Sequence, residues 1–219
     1  MKLLMAVSGA FFVFYVLVHM YGNLKVFGGQ AAFDEYAHHL RTIGEPILPY
    51  KGFLWVFRVL LIASLIAHAY SAFYLWSKAS GARSNRYAIR LAGAAAWRSQ
   101  AMRWGGVALL LFVAFHLVHF TTNKVNFNPE VSASAIGDSP YALVVASFQV
   151  WWLVIIYLLA LAALGLHLQH GVWSASQTLG WTTSPAARAR AKAVAVLIAA
   201  VVTVGFALPP LFILFGIVE

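Results

Sequence analysis

The chain has 219 residues, 62% of them hydrophobic and only 10% charged, a balance that no water-facing domain of this size sustains on its surface, so it reads as an integral membrane protein. Its formal charge of +9 lies between apolar runs and forms no basic tract interleaved with aromatics, so membrane topology accounts for it and nucleic acid is excluded as a partner. The absence of cysteine excludes disulfides, thiolate-bound iron–sulfur clusters and covalently attached c-type haem within this chain.

A membrane-crossing helix needs about 20 predominantly apolar residues. Five runs qualify, roughly 3–26, 53–76, 104–122, 146–173 and 193–217. The first follows a single Lys2, is too long for the apolar core of a cleavable signal and carries His19, so it is read as a span. Turn chemistry separates the runs: Gly28, Gly29, Pro46 and Pro49, then Gly81 with a cluster of arginines, then Asn126, Asn128, Pro129, Gly137 and Pro140, and last Gly180, Ser184 and Pro185. In hydrocarbon only helices satisfy the backbone of such runs one by one. The expected fold is therefore an all-α membrane protein of five transmembrane helices, with residues 1–219 forming one transmembrane domain.

Orientation follows from the basic residues. Lys2, Lys78, Arg83, Arg86, Arg90, Arg98, Arg103, Arg188, Arg190 and Lys192 share one side by alternation, and the excess of Lys and Arg marks that side as cytoplasmic. The other side holds Lys25, Arg41, Lys51, Arg58 and Lys124 together with every acidic residue of the chain. The amino terminus is thus expected inside and the carboxyl terminus outside.

Histidines interrupt four of the five spans. An ionisable side chain in hydrocarbon needs a partner that offsets its desolvation. Each helical residue rises about 1.5 Å, which puts His19 and His116 at one level in the outer half and His68 and His167 at another, nearer the cytoplasm. Two levels imply two sites. Paired neutral imidazoles suit haem iron, filling both axial positions and leaving none for oxygen or substrate, as electron transfer requires. A zinc or copper site would gather three or four ligands with carboxylate support, and no acidic residue lies in any span. His119 and His170 are read as structural hydrogen-bonding residues, with contact to propionates as the alternative, although spacing alone does not separate 116/167 from 119/170. His38 and His39 fall in the outer connection and are expected in water. Small residues near the histidines, namely Ser8, Gly9, Ser64, Ala67, Ala114, Gly165 and Gly171, are expected to give a broad macrocycle room. Arg98 and Arg103 suit inner propionates, and Arg58 or Lys25 outer ones. Ser8, Trp97 and Arg103, or Arg58 and Glu45, are candidate quinone contacts. From the residues alone the function is that of a membrane cytochrome b. The alternatives are a transmembrane ferric reductase or the cytochrome b of another redox complex and, from another class, a transporter whose histidines relay protons.

Several stretches carry a resemblance: VHMYGN at the end of the first span, AHAYSAFYLW in the second, WRSQAMRWGG leading into LLLFVAFHLVHF, and GLHLQHGVWSASQTLGW in the fourth. In these the chain resembles the cytochrome b subunit of single-anchor, two-haem succinate:quinone oxidoreductases and fumarate reductases. The resemblance implies His19, His68, His116 and His167 as axial ligands, paired His19 with His116 and His68 with His167. It implies two b haems and a quinone, with menaquinone the usual one for two-haem members. It also implies a flavoprotein carrying FAD and an iron–sulfur subunit on the cytoplasmic face of a bacterial inner membrane, where the segment 83–103 would dock the iron–sulfur subunit. Succinate chemistry then belongs to another subunit. Where some relatives carry an acidic residue before the ligand in the fourth span, this chain has Gly165, which removes a carboxylate route for protons.

Overall fold

The computed structural model describes residues 1–81, 94–122 and 124–219, and for residues 94–99 the backbone alone. Arg83, Arg86 and Arg90, and the side chains of Trp97 and Arg98, lie outside the described residues. Every regular element among the described residues is helical. Helix α1 is Lys2–Leu24, followed by a 3-10 turn, Lys25–Gly28; α2 is Gly29–Thr42, α3 Gly52–Gly81 and α4 Ala94–His116. Helix α4 loosens into a π-helical turn, Leu117–Thr122. Then come α5 (Ala133–Ile136), α6 (Pro140–Phe148), α7 (Trp151–Thr178) and α8 (Pro185–Leu214). Five segments are long and apolar enough to cross a membrane: the one that begins with α1, then α3, α4 with its π turn, α7 and α8. The protein is thus a multi-pass helical membrane protein.

The helices outrun the apolar runs for local reasons. Helix α8 starts at Pro185, eight residues before its apolar stretch, because the Ser184 hydroxyl accepts the Ala187 N–H and Pro185 supplies a first-turn residue with no donor to satisfy. The intervening ARARAK is polar but rich in strong helix formers. The run 146–173 is cut at Gln149 and Val150 into α6 and α7. Asn128 holds the cut open, its amide donating to the Ala146 carbonyl at 3.1 Å and to Gln149 Oε1 at 3.2 Å. Helix α7 ends on Gly180 at φ +78°, where the Gly180 and Trp181 N–H groups return to the carbonyls of Gln177 and Ser176, closing orphan carbonyls in a Schellman arrangement.

Helix α2 lies in the segment that turn chemistry marks as the first loop. Phe33, Tyr36, Ala37 and Leu40 recur at the helical period and give it one apolar face. With it α2 packs on α3 and α6 and helps cover the outer end of the bundle. Asp34 joins this cover to the next: it accepts the Ser139 hydroxyl at 2.6 Å and the Tyr141 N–H at 3.0 Å at the start of α6. The Tyr141 hydroxyl donates to the Glu219 carbonyl at 2.6 Å. Beneath lies the largest buried cluster, built on Val26, Val144, Phe148, Val154, Tyr157 and Ile213.

Helix α7 is central, packing on α8, α4 and α1, while α1 also packs on α3 and α8. Small residues allow the close crossings: a Cβ at Gly165 would meet Thr203 Oγ1 at 2.6 Å, and one at Gly205 would run into Met20. Gly165, expected to make room for a cofactor, serves the α7–α8 contact instead. Going round the bundle, α3, α1, α7 and α4 are successive neighbours. That order leaves α1 facing α4, and α3 facing α7, across the middle.

Candidate functional site

The facing helices carry the histidines. His19 on α1 stands opposite His116 on α4, with ring centres 5.9 Å apart and planes at 78°. His68 on α3 stands opposite His167 on α7, at 6.1 Å and 57°. Each pair spans one diagonal of the bundle, and all four rings line one cavity of about 2710 Å³. An ordinary small-molecule pocket measures about 300–1,000 Å³. Imidazoles bound on opposite sides of one metal ion have ring centres about 6 Å apart, from bonds of about 2 Å and roughly 1 Å from nitrogen to ring centre on each side. Both pairs match that spacing. Among the described residues no three His, Cys, Asp or Glu side chains gather as a metal site, so the imidazoles meet in twos.

A single interval relates the two levels. Ten residues separate Gly9 from His19, Arg58 from His68, Gly106 from His116 and Tyr157 from His167, about 15 Å of helical rise each time. At the inner level the glycines stand against the rings: a Cβ at Gly9 would lie 3.4 Å from His68 Cε1, and one at Gly106 3.6 Å from His167 Cε1. Gly9 was expected to face a macrocycle and instead receives the His68 imidazole. Gly106 went unnoticed in the sequence because it opens an ordinary apolar run. Gly171 lines the cavity with nothing within 4 Å of where its Cβ would be. Ser64, Ala67 and Ala114 do not border the cavity.

Proton counting assigns the His68 tautomer. The Ser8 hydroxyl has one proton, which it donates to the Leu4 carbonyl at 2.8 Å with Met5 O at 3.2 Å. Toward His68 Nδ1, 3.2 Å away, Ser8 can therefore only accept, so Nδ1 carries the hydrogen and Nε2 keeps its lone pair. A ligand imidazole held by its other N–H is the usual condition of a metal-bound histidine. His167 Nδ1 is buried without a hydrogen-bond partner, the one such side-chain atom among the described residues. Ser8, a candidate quinone contact from the sequence, is occupied in orienting His68.

The outer rings sit among aromatics. His19 stacks on Tyr15 at 5.4 Å and meets Phe206 at 5.5 Å, and His116 stacks on Phe112 at 5.9 Å. His116 Nδ1 lies 3.3 Å from the Tyr157 hydroxyl. The same hydroxyl is 2.9 Å from His119 Nδ1, and His119 Nε2 is 3.0 Å from Ser147 Oγ. His119 has no exposed surface and has a hydroxyl within hydrogen-bond distance of each ring nitrogen. Tyr157 and Ser147 were missed, since hydroxyls inside apolar runs have no motif of their own.

The cations lie at the cavity's ends. Arg58, half-buried, stacks its guanidinium 4.9 Å from the Trp55 ring, and Arg103 lies 5.4 Å from Trp76. Both border the cavity, whereas Glu45 is exposed and does not. Lys25 is 4.8 Å from the Tyr21 ring. His38 and His39 are exposed on α2, and His170 is exposed one turn beyond His167. Arg98, also expected here, has its side chain outside the described residues.

No curated protein and no solved structure matches the chain. A family model described as "Succinate dehydrogenase/Fumarate reductase transmembrane subunit" matches residues 78–207, which take in α4, α7 and most of α8 with His116, His119, Tyr157 and His167. Because that match covers more than half of the sequence, the chain belongs to the succinate dehydrogenase/fumarate reductase transmembrane subunit family, the haem- and quinone-binding membrane anchors of that enzyme complex.

Proposed function

We propose that this protein is the single membrane anchor of a bacterial succinate:quinone oxidoreductase, holding two b haems, and that residues 1–219 act as one transmembrane domain in the cytoplasmic membrane. The observation that carries the reading is the crossing of two imidazole pairs, 5.9 and 6.1 Å between ring centres, at two levels of one cavity. His68 and His167 hold the inner haem; His19 and His116 hold the outer. A haem held between two imidazoles would supply one-electron exchange and leave no iron position for oxygen or substrate. The chain's part is to hold the rings in place, turn the lone pairs toward the iron and keep water away with aromatic and aliphatic walls. Arg103 at the inner end and Arg58 at the outer level offer guanidinium donors to propionates or to a quinone carbonyl.

The basic connections at the ends of α3, α4, α7 and α8 face the cytoplasm in this reading, with the amino terminus on the same side. There they dock an iron–sulfur subunit that in turn carries a flavoprotein with FAD. Electrons from succinate enter at the inner level and reach a quinone, menaquinone for a two-haem anchor. The dicarboxylate site lies on the flavoprotein.

The test is a redox-titrated optical spectrum of the intact complex with haem quantified per chain. Two haems and co-purification of a flavoprotein and an iron–sulfur protein support the reading. A chain without haem, or a His68→Ala or His167→Ala variant that keeps two haems with unchanged spectra, would overturn it.

A further inference from the structure

His119 is a fully buried polar group that the paired-ligand reading leaves unused. Its neighbours give it a direction. Ser147 Oγ donates its one proton to the Leu143 carbonyl at 2.6 Å, so toward His119 Nε2 at 3.0 Å it can only accept. His119 therefore carries its hydrogen on Nε2, and its Nδ1 has a lone pair. The Tyr157 hydroxyl, 2.9 Å away, donates to that lone pair. Its oxygen then has no proton left for His116 Nδ1 at 3.3 Å and accepts the N–H there. Reversing any link would aim two protons, or two lone pairs, at one another around a buried group and leave a polar atom there unsatisfied. One direction runs through all four residues, from His116 to the Leu143 carbonyl. The π-helical turn Leu117–Thr122 carries His119 within it, a winding frequent at functional sites.

We propose that Tyr157, His119 and Ser147 are positioning residues for the outer haem: they hold His116 in its Nδ1–H tautomer, present its Nε2 lone pair to the iron and lower that haem's reduction potential. The proposal rests on His116 being an axial ligand. An N–H that donates into a hydrogen-bonded chain makes the imidazole a stronger electron donor, and polarisation along the chain adds to this where the surroundings are apolar. Stronger donation favours the ferric state. His119 thus acts on the iron through two intervening hydrogen bonds without touching it.

The experiment is a redox titration of both haems in the intact complex carrying Tyr157→Phe, which removes the hydroxyl and keeps the ring. The expected result is two haems per chain, an unchanged inner potential, and an outer haem whose ferrous-to-ferric ratio at a fixed ambient potential rises up to tenfold, an upward shift of at most about 59 mV for one electron. Ser147→Ala, two bonds further off, moves the outer potential the same way by less. Two retained haems with both potentials unmoved in Tyr157→Phe overturn the relay and leave the haem reading standing. If Tyr157→Phe sheds the outer haem, Ser147→Ala decides: an upward shift supports the relay, and none overturns it. If His116→Ala keeps both haems, the ligand reading itself fails, whatever the Tyr157 result.

Discussion

At the inner level backbone does the holding. Gly9 and Gly106 bring α1 and α4 against the edges of His68 and His167, and the Ser8 hydroxyl bonds the His68 ring nitrogen there. At the outer level side chains do it: aromatic faces enclose His19 and His116, and a hydroxyl, an imidazole and a second hydroxyl extend from His116 into the buried cluster under α6. The two pairs have nearly the same separation, 6.1 and 5.9 Å, so the difference lies in what stands behind them. Close backbone approach restricts where a ring can go and has little influence on its electrons. A chain of dipoles in an apolar interior holds a ring and also changes how strongly it donates electrons. The bundle therefore offers two versions of one ligand arrangement, the inner set by shape and the outer by hydrogen bonding.

The comparison breaks most completely when a ring is removed. His68→Ala or His167→Ala is expected to abolish the inner haem, leave the outer one with its spectrum intact, and cut succinate-to-quinone electron flow to background. The measurement is haem per chain with turnover of the purified complex; equal loss of both haems would show that the levels are not independent. Shape control at the inner level is tested at Gly106. A methyl there meets His167 Cε1 at 3.6 Å, ordinary contact, so Gly106→Ala should keep two haems. Gly106→Leu adds bulk against the His167 ring and into the cavity a haem would fill, and should lose most of the inner haem, while an outer haem governed from α6 and α7 stays in place. The Ser8→Ala variant sharpens the contrast at smaller scale. It removes one hydrogen bond from His68, so the inner haem's potential should rise less than the outer haem's does in Tyr157→Phe, as read by the same redox titration.

Much of this was open to reading before any coordinates. Apolar run length gives the five crossings, and counting rise per residue puts His19 level with His116 and His68 level with His167, because helices convert sequence distance into depth. Counting does not convert it into facing. That α1 lies across from α4, and α3 from α7, depends on the order of helices around the bundle, which no single helix encodes. Hydropathy also hides what is polar and helical or apolar and broken: ARARAK before α8 belongs to the first kind and the cut at Gln149 to the second. Tyr157 and Ser147 stayed invisible because their meaning is relational. A tyrosine in an apolar run packs anywhere until His116 and His119 converge on its hydroxyl.

The smallest expected effect lies at the outer cover. Asp34 accepts two hydrogen bonds at the amino end of α6, from the Ser139 hydroxyl and the Tyr141 N–H, and its charge complements the partial positive charge of the helix start. Helix α6 carries Ser147 at the far end of the hydrogen-bonded chain from His116. Asp34→Ala leaves both donors without that acceptor near the surface, where water replaces part of the loss, so the cost is about 1–2 kcal/mol. For a chain of this size that corresponds to a few degrees in a thermal midpoint. The readout is thermal haem release followed separately for the two haems by their spectra. The outer haem should leave a few degrees earlier than in the unaltered protein, and the inner haem, whose glycines and Ser8 belong to α1 and α4, should leave at its usual temperature. If both midpoints fall together, α6 supports the whole bundle and the two levels share their stability. If only the outer one falls, the cover of α2 and α6 belongs to the outer pair, as the backbone at Gly9 and Gly106 belongs to the inner.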